Sequence, residues 1–202
     1  MERKHHIAQS RVRGVLTDLK RLSPDFVNVF PRPLDDIIQL LYPVSLIEYE
    51  DLTFAKIAGY LDQVGMSYDW PGDYNEPLAG FILFKNGHGL IFTEKNGNAG
   101  FCRFTKAHEL GHFWDFRKKE DITFACRDYP RPENITQTFD YSEVRANQFA
   151  AELLMPAALI EQYRSYTGNE DSLITEVVER FGVSRAAAKI RLKEFGILSN
   201  DL

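Results

Sequence analysis

Near the middle of this 202-residue chain, two histidines stand four positions apart with a glutamate directly after the first: His108-Glu109-Leu110-Gly111-His112. On a helix, residues i and i+4 lie one turn apart on one face, so both imidazoles reach a single metal ion. Glu109 projects beside that pair, where a carboxylate can take a proton from a metal-activated water. The spacing is the HExxH arrangement of zinc hydrolases, with His108 and His112 as metal ligands and Glu109 as general base.

A catalytic zinc of this kind needs a third protein ligand, usually a carboxylate from a separate helix, and leaves its fourth position to water. The segment Ser142–Pro156 supplies one, with Ser142 as N-cap and Pro156 as stop. Glu143, Asn147, Ala150, Ala151 and Leu154 fall on one stripe. That stripe places a carboxylate and an amide one turn apart, ahead of small residues that let a second helix approach closely. Glu143 is the expected third ligand. Asn147 is the expected group that hydrogen-bonds a ligand histidine and sets its tautomer. Glu152, Asp140 and Asp115 stand behind Glu143 as alternatives. Of these, Asp115 would require its own helix to bend around the metal.

These groups need elements to hold them. Gly80–Lys85 and Gly89–Glu94 are β-rich runs joined by Asn86-Gly87-His88, a hairpin with turn chemistry in place, and His88 reads as a solvent-exposed tip. Asn96–Gly100 reads as a flexible connection, and Phe101–Thr105 leads into the HELGH helix, which Phe113, Trp114 and Phe116 extend. A hairpin running straight into the metal-binding helix is how zincin-type peptidases begin their active site. Upstream, Val12, Val15, Leu16, Leu19 and Leu22 keep helical spacing among Arg3, Lys4, Arg11, Arg13, Lys20 and Arg21. That pattern predicts an amphipathic helix with a solvated basic face, the other reading being a docking helix for a partner or nucleic acid. His5 and His6 are adjacent, cannot share a helical face as a ligand pair would, and read as surface residues.

The prolines at 24, 31 and 33 mark a linker, Leu34–Tyr42 returns to helical spacing before Pro43, and Val44–Tyr49 reads as a strand. A helix is expected over 53–64 and loop over 65–79. Residues 117–139 are charged, Pro-containing and aperiodic, which predicts a loop bordering the cleft; the sequon at Asn134 carries no meaning in a cytoplasmic chain.

A net charge of −5 and a pI near 5.6 argue against a chain built to sit non-specifically on nucleic acid. The two cysteines, Cys102 and Cys126, lack CxxC-type spacing, and with no signal peptide they read as reduced thiols of a cytoplasmic protein. No apolar run approaches the length of a membrane span.

FCRFTKAHELGHF followed by SEVRANQFAAELLMP resembles the ImmA/IrrE family of zinc-dependent metallopeptidases. The family pattern R-x-x-T-x-A-H-E-x-G-H is met by Arg103, Thr105 (one step closer to Arg103), Ala107, His108, Glu109, Gly111 and His112. The second block, E-x-x-A-N-x-F-A-A-x-L-L-M-P, is met from Glu143 through Ala146, Asn147 and Phe149 to Pro156. Many relatives carry a second acid two residues after the ligand glutamate, where this chain has Arg145. The resemblance implies an α+β, zincin (gluzincin)-like fold, one Zn²⁺, and peptide-bond hydrolysis in the cytoplasm. It also implies an anti-repressor that cleaves a helix-turn-helix repressor of a mobile element or stress response.

The expected organisation is an N-terminal helix and linker over 1–33, a zincin-like metallopeptidase domain over 34–165, and a C-terminal helical segment over 166–202. Residues 172–198 suggest two short helices around Gly182-Val183-Ser184, resembling a helix-turn-helix with Arg185, Lys189, Arg191 and Lys193 as a local basic group. Packing of this unit on the peptidase domain is favoured over DNA contact through Arg185 and Lys189, because Glu176, Glu179 and Glu194 dilute the patch. The competing function is a DNA-binding or toxin–antitoxin-type regulator whose zinc site is structural or vestigial; an intact Glu109 argues against it, since a structural site has no use for a general base.

Overall fold

The run Gly80–Phe84 is buried at every position, which a strand with one solvated face would not be. The computed structural model describes residues 2–68, 72–85, 87–117, 124–128 and 141–199, with backbone only at 2–5, 124–128 and 141. Among the described residues there are four strands: β1 (Val44–Tyr49), β2 (Gly80–Lys85), β3 (His88–Glu94) and β4 (Phe124–Asp128). Their order in the sheet is β1-β3-β2-β4, with β1 parallel to β3 and both other pairings antiparallel. The helices are α1 (Glu2–Leu22), α2 (Leu34–Leu41), α3 (Phe54–Gln63), α4 (Ala99–Phe116), α5 (Tyr141–Leu154), α6 (Ala157–Ile160), α7 (Glu170–Phe181) and α8 (Arg185–Glu194).

Period-two alternation explains the burial of β2, because its two faces serve two cores. Phe81 and Leu83, with Leu90 and Phe92 of β3, pack with Phe54, Ile57 and Leu61 of α3. Ile82, Phe84 and Ile91 turn the other way, into a larger cluster with Leu110 and Phe113 of α4 and residues of α1, α2, α5, α7 and α8. The sheet is therefore a middle layer, and α4 lies against its helical side. The fold is mixed α+β. Among the described residues, no helix is long and apolar enough to cross a membrane.

Three expectations need correction. Residues 117–139 do not form loop throughout, since Phe124–Asp128 is the edge strand pairing Gly80 with Asp128 and Phe84 with Phe124; a five-residue strand in charged surroundings carries too little periodicity to read. The connection before the metal-site helix is shorter than expected, because Asn98 caps α4 by accepting from Gly100 N at 3.0 Å and Phe101 N at 3.3 Å. The proline-rich linker is a packed strap. Pro24–Asn28 forms a 3₁₀ turn, and the buried Arg32 donates to the carbonyls of Leu153 and Val27 at 2.7 Å each. Phe30 meets Phe181 edge-on, with ring centroids 5.3 Å apart. The prolines stop a helix there without loosening the chain.

The N-terminal helix buries Ala8, Val12, Val15 and Leu19, while Leu22 of the expected stripe is 62% exposed. Its basic residues are not all solvated: Arg11 reaches inward to Asp115 at 2.8 Å. His6 is exposed, as expected; the side chain of His5 lies outside the described residues, as do Asn86 and Asn134.

Candidate metal centre

Nine successive residues of α4, from Thr105 to Phe113, are buried. A surface helix would bury only one stripe, so α4 is an interior helix and each polar group on it needs a partner. Lys106 finds Asp35 of α2 and Glu48 of β1, each at 3.0 Å. Burial alone would lower its pKa, but the hydrogen bonds it donates to Glu48 and Asp35 outweigh this and raise it.

The histidines find α5. Gly111 allows the approach: a Cβ there would lie 3.0 Å from Ala146 Cα and 3.2 Å from a ring carbon of Phe149. The facing pairs His112–Glu143, Gly111–Ala146 and His108–Asn147 show the two helices running antiparallel. His108 Nε2 and His112 Nε2 are 3.0 Å apart. Glu143 closes the group, with Oε2 3.1 Å from His108 Nε2 and Oε1 3.2 Å from His112 Nε2. Burial would raise the Glu143 carboxyl pKa, but hydrogen bonds from the protonated forms of His108 and His112 and their charge outweigh it and hold the carboxyl well below the usual carboxylate range.

Behind the cluster, Asn147 Oδ1 lies 3.0 Å from His108 Nδ1. A carbonyl oxygen only accepts, so His108 when neutral carries its proton on Nδ1 and leaves the Nε2 lone pair for a metal. Two imidazoles and one carboxylate, mutually within 4.8 Å, are the donor set of a three-ligand zinc site with one open position. The residues fit the ion.

Glu109 is fully buried on the neighbouring face of α4. It sits beside Gly80, where a Cβ would come within 2.6 Å of Glu109 Oε1 and 2.7 Å of Thr105 Cγ2. The absence of a side chain at Gly80 is what lets β2 cross over the carboxylate.

The alternative carboxylates are engaged elsewhere. Asp115 holds Arg11 at 2.8 Å and Arg145 at 2.9 Å, so the residue that departs from the family pattern ties α5 to α4 and α1. Glu152 is buried, pairs with Arg191 and accepts from Ala157 N at 3.2 Å. Asp140 and the side chain of Cys126 lie outside the described residues. Cys102 is half-buried, its sulfur 3.9 Å from the Lys95 carbonyl, and is not part of the group. His88 meets Ser45 Oγ at 3.1 Å across the sheet.

Arg185 and Lys189 lie on α8, outside the cluster. Arg185 is held by Asp171 and by Thr175 Oγ1, the latter at 3.0 Å, while Lys189 is exposed. Arg191, read as part of the same basic group, is buried and bonds the Met155 carbonyl at 3.1 Å.

Residues 75–193, more than half of the chain, match the IrrE N-terminal-like domain of the Peptidase M78 family. The chain belongs to this family. The IrrE-like domain thus contains all of β2, β3, α4 and α5, hence every member of the cluster and Gly80. A curated relative, described as "Uncharacterized immunity region protein 2" of Bacillus phage phi105, is 27% identical over 130 residues, covering 64% of this chain and 74% of its own length.

Sequence reasoning missed Gly80, the Lys106 partners and the Asp115–Arg145 pair. The one usable signal was Lys106 itself, a lysine two residues before His108 in a helix expected to be buried. Its partners lie 58 or more positions away in the chain.

Proposed function

We propose that this chain is a zinc-dependent metalloendopeptidase of the cytoplasm, cleaving a helix-turn-helix transcriptional repressor of a mobile element or stress response. The observation that carries the hydrolytic reading is the convergence of His108 Nε2, His112 Nε2 and Glu143 within 3.0–3.2 Å, with the buried Glu109 adjoining. Membership of a peptidase family supports the reaction class. The relative from a phage immunity region supports a repressor-related setting.

In this reading His108, His112 and Glu143 hold one zinc ion. When bound, zinc supplies Lewis acidity, which polarises the scissile carbonyl and makes water more acidic. Glu109 takes a proton from the attacking water and hands it to the departing amine nitrogen as the C–N bond breaks. Asn147 keeps His108 in the Nδ1–H tautomer, and Gly80 leaves Glu109 the room it occupies.

The competing reading, a DNA-binding or toxin–antitoxin-type regulator with a structural or vestigial zinc site, draws on the α7–α8 pair and the exposed Lys189. It has less support, because Arg185 is neutralised by Asp171 and Arg191 is buried. The test is incubation of the zinc-loaded chain with the repressor encoded beside it, with and without chelator. Chelator-sensitive fragments are expected. A repressor left whole in both arms would overturn the target, and salt-dependent DNA binding lost on Arg185 and Lys189 substitution would favour the regulator.

A further inference from the structure

A groove of about 690 Å³ runs along the seam of α4 and α5 and is walled on its far side by α8. Its lining is mainly apolar: Phe101 and Phe104 from α4, Val144 and Ala151 from α5, Ala187 and Ile190 from α8. Phe101 is 39% and Ile190 59% exposed, so two large apolar side chains stand in water at this one place.

Three residues of the groove adjoin the metal centre. Asn147 lines the groove and holds His108. Val144 lines it and directly follows Glu143. Thr105 lines it and shares with Glu109 the space beneath Gly80.

Its α8 wall is fixed. A Cβ at Gly100 would fall 2.2 Å from Ser184 N and from Val183 C, so the start of α4 is pressed against the turn that launches α8. Arg191 anchors the other side through the Met155 carbonyl and Glu152. At 100° per residue, Ala187, Ile190 and Glu194 share one side of α8, and Arg185 and Lys189 fall on the opposite side.

We propose that this groove receives a large apolar side chain of the peptide held at the metal centre, which makes α8 a specificity wall of the peptidase. The inference rests on the peptidase reading and adds the substrate class: segments with leucine, isoleucine, methionine or phenylalanine next to the cleaved bond. The volume lies within the range of small-ligand pockets and accommodates such a side chain together with adjoining backbone. Polar groups of its lining, Ser184, Gln148 and Glu194, can bond that backbone.

Two measurements on the full zinc-loaded chain test it. The first is fluorescence polarisation with a labelled alanine–lysine peptide carrying a central leucine, against its all-alanine counterpart, on the Glu109→Gln protein so that nothing is consumed. The leucine peptide should bind at least about tenfold more tightly. Ile190→Asp, at an exposed position where folding is not at stake, should erase that difference, and Ala187→Phe should erase it by filling the space. Equal binding of both peptides, or a preference unmoved by Ile190→Asp, overturns the proposal.

The second measurement maps cuts in β-casein by mass spectrometry with the unsubstituted chain. Cuts beside large apolar residues that shift toward small ones in Ala187→Phe support the groove. Cuts without apolar preference overturn it while leaving the peptidase reading intact. Leucine-dependent binding with neither β-casein nor the neighbouring repressor cut overturns the peptidase reading and leaves the groove as a peptide-binding site.

Discussion

Asn147 Oδ1 accepts the Nδ1 proton of His108 at 3.0 Å, across the seam between α5 and α4. One amide thereby decides which imidazole nitrogen is left to bind a metal. Replacing Asn147 with alanine should lower zinc affinity by about 10–100-fold with the fold retained, because only the support behind the ligand is lost. Competition titration with a zinc chelator measures this. Unchanged affinity would mean that the tautomer is set elsewhere.

Glu109 and Glu143 should separate cleanly. Glu109→Gln is expected to keep zinc stoichiometry and lose proteolysis by about 10²–10⁴-fold, the usual worth of a general base. Glu143→Ala should lose the metal itself. Metal analysis beside a cleavage assay distinguishes them, and full proteolysis by Glu109→Gln would sink the mechanism.

Gly80→Ala places a methyl group 2.6 Å from Glu109 Oε1 and 2.7 Å from Thr105 Cγ2. Either the carboxylate or β2 must move, at a cost of about 1–3 kcal/mol. Turnover should fall at least tenfold while zinc stays bound. A variant as active and as stable as the parent would show that Glu109 relocates at no cost.

Asp115 lies between Arg145 and Arg11, and its side chain is 8% exposed against 32% and 23% for the arginines. Their exposure screens the pair, so a double-mutant cycle between Asp115→Ala and Arg145→Ala should give a coupling of about 1 kcal/mol. Arg145→Glu, the charge that many relatives carry, should cost more, because two carboxylates then face each other. Thermal denaturation of the set checks both.

Zinc bound only by the folded chain stabilises it by mass action. Removing ion held at about a thousand times its dissociation constant should withdraw about 4 kcal/mol, lowering Tm by on the order of 10 °C. The same chelator should barely move Tm in Glu143→Ala. Equal shifts in both proteins would place the ion elsewhere.

The site was legible where local geometry decides it. Helical period alone puts His108 over His112 and Glu143 one turn from Asn147, and the small residues Ala150 and Ala151 announce a close helix, although the closest approach falls at Gly111 and Ala146. The α1, α2, β1, α3 and hairpin spans followed from period and from proline or glycine stops. The strand β4 was not legible, because five residues in a charged stretch become a strand only through pairing with β2. The sequence favoured Glu143 over Asp115 and Glu152 through its stripe with Asn147, but could not show what partners these three carboxylates have. Only tertiary contacts did so, by giving Asp115 to Arg11 and Arg145, Glu152 to Arg191, and leaving Glu143 facing the histidines. By itself, then, the sequence determined the chemistry available, because that depends on residue type and on spacing within one helix. Which groups meet across helices, and the apolar groove beside them, depended on packing between segments far apart in the chain, where a buried charge settles on whichever partner the fold brings within reach.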